Sequence, residues 1–109
     1  MRVILKYPGK LGEIGEINGY QEMHDFVGGF IEIVRYHDYC IVCNDEFLLN
    51  DSPFNCCING TMFCGNIFIC SEGIVDEESG ERDLISLTDD QLESEFIQFL
   101  LGNLGKVVL

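Results

Sequence analysis

Positive charge is what this chain has least of: six Lys and Arg stand against nineteen Asp and Glu in 109 residues, a net charge of −13. Such a chain repels phosphate backbones and anionic bilayers, so neither direct nucleic-acid binding nor membrane-surface binding is expected of it. It also lacks any apolar run close to the eighteen or more residues that cross a bilayer. The start, Met1-Arg2-Val3-Ile4-Leu5-Lys6-Tyr7-Pro8, is too short and too soon charged for a secretory signal and reads instead as a strand. A reducing, cytoplasmic setting is therefore expected, where stable disulfides are rare. Internal repeats and low-complexity segments are missing. So is catalytic apparatus: no Ser, Thr or Cys lies in a nucleophile motif, and Gly12-x-x-Gly15 has neither the Lys nor the long following helix of a phosphate loop. Binding of another macromolecule, rather than an enzymatic reaction, is the expectation.

What is present is an ordinary globular balance, 47% apolar and 23% charged, at the length of one domain. Residues 2 to 7 and 13 to 17 read as strands on either side of Pro8-Gly9. Tyr20, Met23, Phe26 and Val27 recur at helical spacing before Gly28-Gly29 ends the segment. A hairpin is predicted over residues 30 to 43 with His37-Asp38 as its turn. Asn50, Asp51, Ser52, Pro53 and Asn55 predict a loop over residues 45 to 59, around a short strand at Phe47 to Leu49. Met62 to Cys70 predicts one central apolar strand, and residues 72 to 83 a charged loop. Thr88-Asp89-Asp90-Gln91 matches a capping box, which predicts a helix with Leu92, Phe96, Phe99 and Leu100 on its apolar face, widened by Ile97 and Leu101 and capped by Gly102. Val107 to Leu109 is a tail or an edge strand. The fold expected is α+β: a small, mostly antiparallel sheet with a short helix in the N-terminal half and a C-terminal helix packed on it.

Six cysteines have two readings. Cys40-Ile41-Val42-Cys43 has the spacing of a zinc knuckle, and with Cys56 and Cys57 it could supply four thiolates to a structural zinc. Against this, residues 40 and 43 of a regular strand face opposite ways, and the second reading makes the cysteines small hydrophobes of the core. Thioredoxin-like chemistry is not expected, because its C-x-x-C opens a helix. His24 and His37 read as surface residues, with His37 the nearer spare ligand to Cys40.

The acidity is concentrated. Residues 72 to 95 hold ten carboxylates and one arginine, −9 of the net −13. Asp76, Glu77, Glu78, Glu81, Asp83, Asp89, Asp90 and Glu93 are the candidate partner-binding residues: as a surface they would imitate a nucleic-acid backbone and dock on Lys and Arg clusters. As a solvated loop and helix face they would only keep the chain soluble.

Taken in order, Val27-Gly28-Gly29-Phe30-Ile31-Glu32-Ile33-Val34, Val42-Cys43-Asn44-Asp45-Glu46, Pro53-Phe54-Asn55, Gly65-Asn66-Ile67-Phe68-Ile69 and Ser86-Leu87-Thr88-Asp89-Asp90-Gln91 resemble a family of small proteins catalogued only as a domain of unknown function, found in phages and conjugative elements of gut Firmicutes. The resemblance covers nearly the whole chain and departs in the extra cysteines. It implies a mobile-element origin and the cytoplasm of a bacterial host. In size, charge and clustered cysteines the chain is also similar to type II anti-CRISPR proteins. Size, charge and the implied origin together lead to the expectation of an inhibitor of a host defence nuclease, a Cas nuclease such as Cas9 being the example, that covers its basic surface; a monomer or weak dimer is expected. The alternative is sequestration of a small signalling nucleotide, for which the chain offers few bases.

Overall fold

The computed structural model describes residues 1–46 and 51–103. Strands β1 (Arg2–Lys6), β2 (Glu13–Glu16), β3 (Ile31–Tyr36), β4 (Tyr39–Asn44), β7 (Ile67–Asp76) and β8 (Glu81–Ile85) form one sheet in the order β2-β1-β7-β4-β3, with β8 paired to β7. Every pairing is antiparallel. A separate hairpin, β5 (Phe54–Ile58) and β6 (Thr61–Cys64), and three helices, α1 (Gly19–Val27), α2 (Asp89–Glu93) and α3 (Glu95–Leu100), complete the α+β fold.

Period-two alternation in the central strands separates the core into two layers. Ile41 and Cys43 of β4, with Ile67 and Ile69 of β7, face Ile58 and Phe63 of the hairpin and Ile97 and Leu100 of α3. Cys40, Val42, Phe68 and Cys70 face the other way, towards Val27 of α1, with Met23 and Phe26 packed beside it. A sheet covered on both sides explains why β4 reads Tyr-Cys-Ile-Val-Cys-Asn, with every residue buried, rather than alternating with polar residues.

Local chemistry sets the ends of the elements. Gly28, left-handed at φ 83°, terminates α1, and its N–H donates to the carbonyl of His24. The Thr88 hydroxyl accepts from Gln91 N–H at 3.1 Å while the Gln91 carboxamide oxygen accepts from Thr88 N–H at 2.9 Å, the capping box expected from the sequence.

Four expectations are corrected. The loop over residues 45 to 59 gives way at Phe54 to β5, because Asn59-Gly60, both at positive φ, form a tight turn into β6. The apolar run Met62 to Cys70 is two strands: Gly65, at φ 76°, breaks it and donates its N–H to the Pro53 carbonyl at 2.7 Å. The charged segment 72 to 83 is a hairpin rather than a loop: β7 runs to Asp76, residues 77 to 80 turn, and β8 begins at Glu81. The C-terminal helix is interrupted at Ser94, which is extended at ψ 156° and caps α3 anew by accepting from Ile97 N–H. That break rotates the apolar face, so Ile97 and Leu100 are buried whereas Phe99 stays 67% exposed. Phe47 to Leu49 and Val107 to Leu109 lie outside the described residues.

Candidate functional site

Beyond Ser71, β7 leaves both β1 and β4 and continues paired to β8 alone, as a two-stranded ribbon. The sequence favours extended backbone there through β-branched Ile74 and Val75, and Ser79-Gly80 closes the turn with Gly80 at φ 72°. The turn is pinned by its own polar groups. Asp76 accepts from Glu78 N–H through its side chain at 3.0 Å and from Gly80 N–H through its carbonyl at 2.8 Å, and Ser79 Oγ accepts from Glu81 N–H at 3.2 Å.

Charge is distributed unevenly along this ribbon. At its base, Glu72 accepts from Arg35 at 2.6 Å and from Arg82 at 3.1 Å, and these two guanidinium contacts hold its carboxyl below the usual carboxylate range. At its tip, Asp76 lies directly across from Glu81, with Glu77 and Glu78 between them in the turn. Like charges opposed across strands are unfavourable. Among the described residues no Lys or Arg pairs with Asp76, Glu77, Glu78, Glu81 or Asp83.

The eight acidic candidates therefore fall into separate groups. Asp76, Glu77, Glu78 and Glu81 share the ribbon tip. Asp83 stands midway along β8, opposite Gly73. Asp89, Asp90 and Glu93 lie on α2, whose Gln91 carboxamide donates to Ser71 Oγ at 3.0 Å and so fixes the helix start beside the ribbon base. Asp89 is ion-paired with Arg2 at 3.0 Å, and Asp89 and Asp90 sit where the helix dipole favours negative charge, so both have a local role. The signal missed in the sequence was the β-branched Ile74-Val75 pair ahead of the acidic turn. These two side chains remain 56% and 55% exposed and add an apolar strip to the ribbon.

The cysteines are not brought together. Cys40 and Cys43 belong to the two opposite core layers, as strand geometry demands. Cys56 is half-buried against the first layer, while Cys57 points outward from the same strand. Cys40 instead lies across from Cys70 on β7. Burial pushes the Cys43 and Cys70 thiols up to about 12, with nearby carboxylates adding to the effect, and raises Cys40 and Cys56 as well. Among the described residues no three His, Cys, Asp or Glu converge as a metal site. His37 meets Tyr36 edge-to-face at the β3–β4 turn, and His24 contacts Tyr20 and Phe30.

No helix among the described residues is long and apolar enough to cross a membrane. Residues 1–100 match the family described as domain of unknown function (DUF3846), and the chain belongs to that family. No curated protein and no solved structure matches it.

Proposed function

We propose that this member of the family is an interaction protein whose acidic β7–β8 ribbon docks on a Lys- and Arg-rich groove of a partner protein. The observation that supports it is the unpaired tip: four carboxylates at Asp76, Glu77, Glu78 and Glu81 on a ribbon whose base is neutralised by Arg35 and Arg82. A hydrogen-bonded turn presents those charges in a fixed arrangement, which lowers the ordering cost of binding relative to a floppy acidic loop. Exposed Ile74 and Val75 add apolar contact beside the charges, and the field of a chain at −13 accelerates encounter with a basic surface.

Grooves that suit such a ribbon belong to proteins that themselves hold nucleic acid. The sequence resemblance to phage and conjugative-element proteins, and in type to anti-CRISPR proteins, makes a host defence nuclease such as Cas9 the partner to test first, with the chain acting as its inhibitor. The experiment is capture from a bacterial lysate, and from purified Cas9, by the wild type and by a variant with Asp76, Glu77 and Glu78 all changed to Lys. Capture of a nucleic-acid-binding protein by the wild type and its loss in the variant support the reading; equal capture by both refutes it.

A further inference from the structure

We infer that the groove between α3 and the β5–β6 hairpin binds a small organic monoanion, a carboxylate attached to a flat apolar body. The groove encloses about 680 Å³, within the ordinary range for small-molecule sites. In a chain with nineteen acidic and six basic residues, its lining contains, among the described residues, Lys6 and Lys10 and no Asp or Glu. The lining of this groove is therefore locally basic in an otherwise acidic chain.

Lys6 carries the argument. It is only 9% exposed, yet among the described residues it has no carboxylate partner. Its ammonium donates to the Asn55 carboxamide oxygen at 2.9 Å and to the Tyr7 carbonyl at 3.1 Å, both neutral acceptors. An ammonium has three donors, so one remains. Asn55 is itself buried and locked, its amide donating to the Lys6 carbonyl at 2.8 Å and the Gly65 carbonyl at 2.7 Å, so the direction of the ammonium is built into the β1–β5 contact. A buried charge without a counter-ion is costly, and an anion entering the groove supplies one.

The walls set the rest of the ligand. Phe96 meets Tyr36 edge-to-face at 5.0 Å, and exposed Phe99 lines the same groove, giving a flat body aromatic surface to pack on. One free donor on Lys6, with the exposed Lys10 as second cation, matches a single negative charge. A phosphate dianion would find, among the described residues, these two cations within a chain of −13.

The test titrates the intact protein with 2-naphthoate and follows backbone amide shifts by NMR. The expected result is saturable binding, with a Kd on the order of 0.1–1 mM, and shifts centred on Asn55, Cys56, Phe96 and Phe99. Neutral 2-naphthol should bind at least about tenfold more weakly. Lys6→Met also removes the donor that Asn55 needs, so Lys10→Glu and Phe99→Ala, both exposed positions, serve as the folded controls. Each should weaken naphthoate by about threefold to tenfold with an unchanged melting temperature. Unsaturable shifts, shifts elsewhere on the protein, equal binding of naphthol, or tighter binding of adenosine monophosphate than of naphthoate would each overturn the inference.

Discussion

Replacing Ile97 with Ala should destabilise the protein far more than replacing Phe99, although Phe99 is the larger residue and lies two positions away on the same helix. Ile97 is fully buried between the sheet and α3, in the layer that contains Ile41, Ile69 and Phe63. The change removes three carbons, a transfer loss of about 2.4 kcal/mol at roughly 0.8 kcal/mol each. A cavity left in a layer this enclosed raises the total to about 3–4 kcal/mol. For a domain of this size that corresponds to a melting temperature lower by roughly 15–25 °C. Phe99, at 67% exposed, should change stability by about 0.5 kcal/mol or less. Urea unfolding followed by circular dichroism measures both, with an unchanged m value as the sign that only stability has moved. Equal losses from the two substitutions, or a loss under about 1 kcal/mol for Ile97→Ala, would refute the break at Ser94 and the helix orientation that follows from it.

Thr88→Ala deletes the reciprocal cap of α2 and should cost about 1 kcal/mol in the same assay, and no change would contradict the capping geometry. Among the thiols, Cys57 should react with Ellman's reagent at once, while Cys43 and Cys70 should stay protected until the protein unfolds; rapid labelling of more than the exposed thiols would contradict the two-layer core. The Cys43 and Cys70 values are raised in the folded state from the ordinary 9.0 to about 12, so the stability they confer is whole below pH 9 and is lost as the pH climbs towards 12. The urea midpoint should accordingly fall between pH 9 and 11, and a smaller fall in Cys70→Ala identifies the thiol; a rising midpoint would be the wrong sign.

Much of the scaffold was legible because its signals are local. The Thr88-Gln91 box, the His37-Asp38 turn and the Gly28-Gly29 stop each determine geometry within four residues, and each appears where the sequence places it. Errors arose where a local signal was overruled by pairing at a distance. Asp76-Glu77-Glu78 reads as a solvated loop by composition, yet Ile74 and Val75 extend the strand and β8 returns along it. Asn55 sits among turn formers but is buried, because Lys6 and Gly65, remote in sequence, use all of its polar atoms. The objection to a Cys40–Cys43 metal pair was readable from strand periodicity alone, and the division of the core into two layers follows the same alternation. The groove was not readable at all, since the β1–β5 contact that directs Lys6 and the packing of α3 that places Phe99 both join residues remote in sequence.

In the proposed function, charge at the ribbon tip steers the protein to a basic partner. The most direct test is the association rate constant with the captured partner, measured from low to high salt for the wild type and for the variant carrying Lys at 76, 77 and 78. At low salt the wild type should associate about tenfold to a thousandfold faster than the variant, and the two should converge as salt screens the field. Their melting temperatures should remain close, because all three side chains are exposed and, although Asp76→Lys removes the acceptor of Glu78 N–H, the bond from Gly80 N–H to the Asp76 carbonyl still holds the turn. Equal association rates at every salt concentration would contradict the claim.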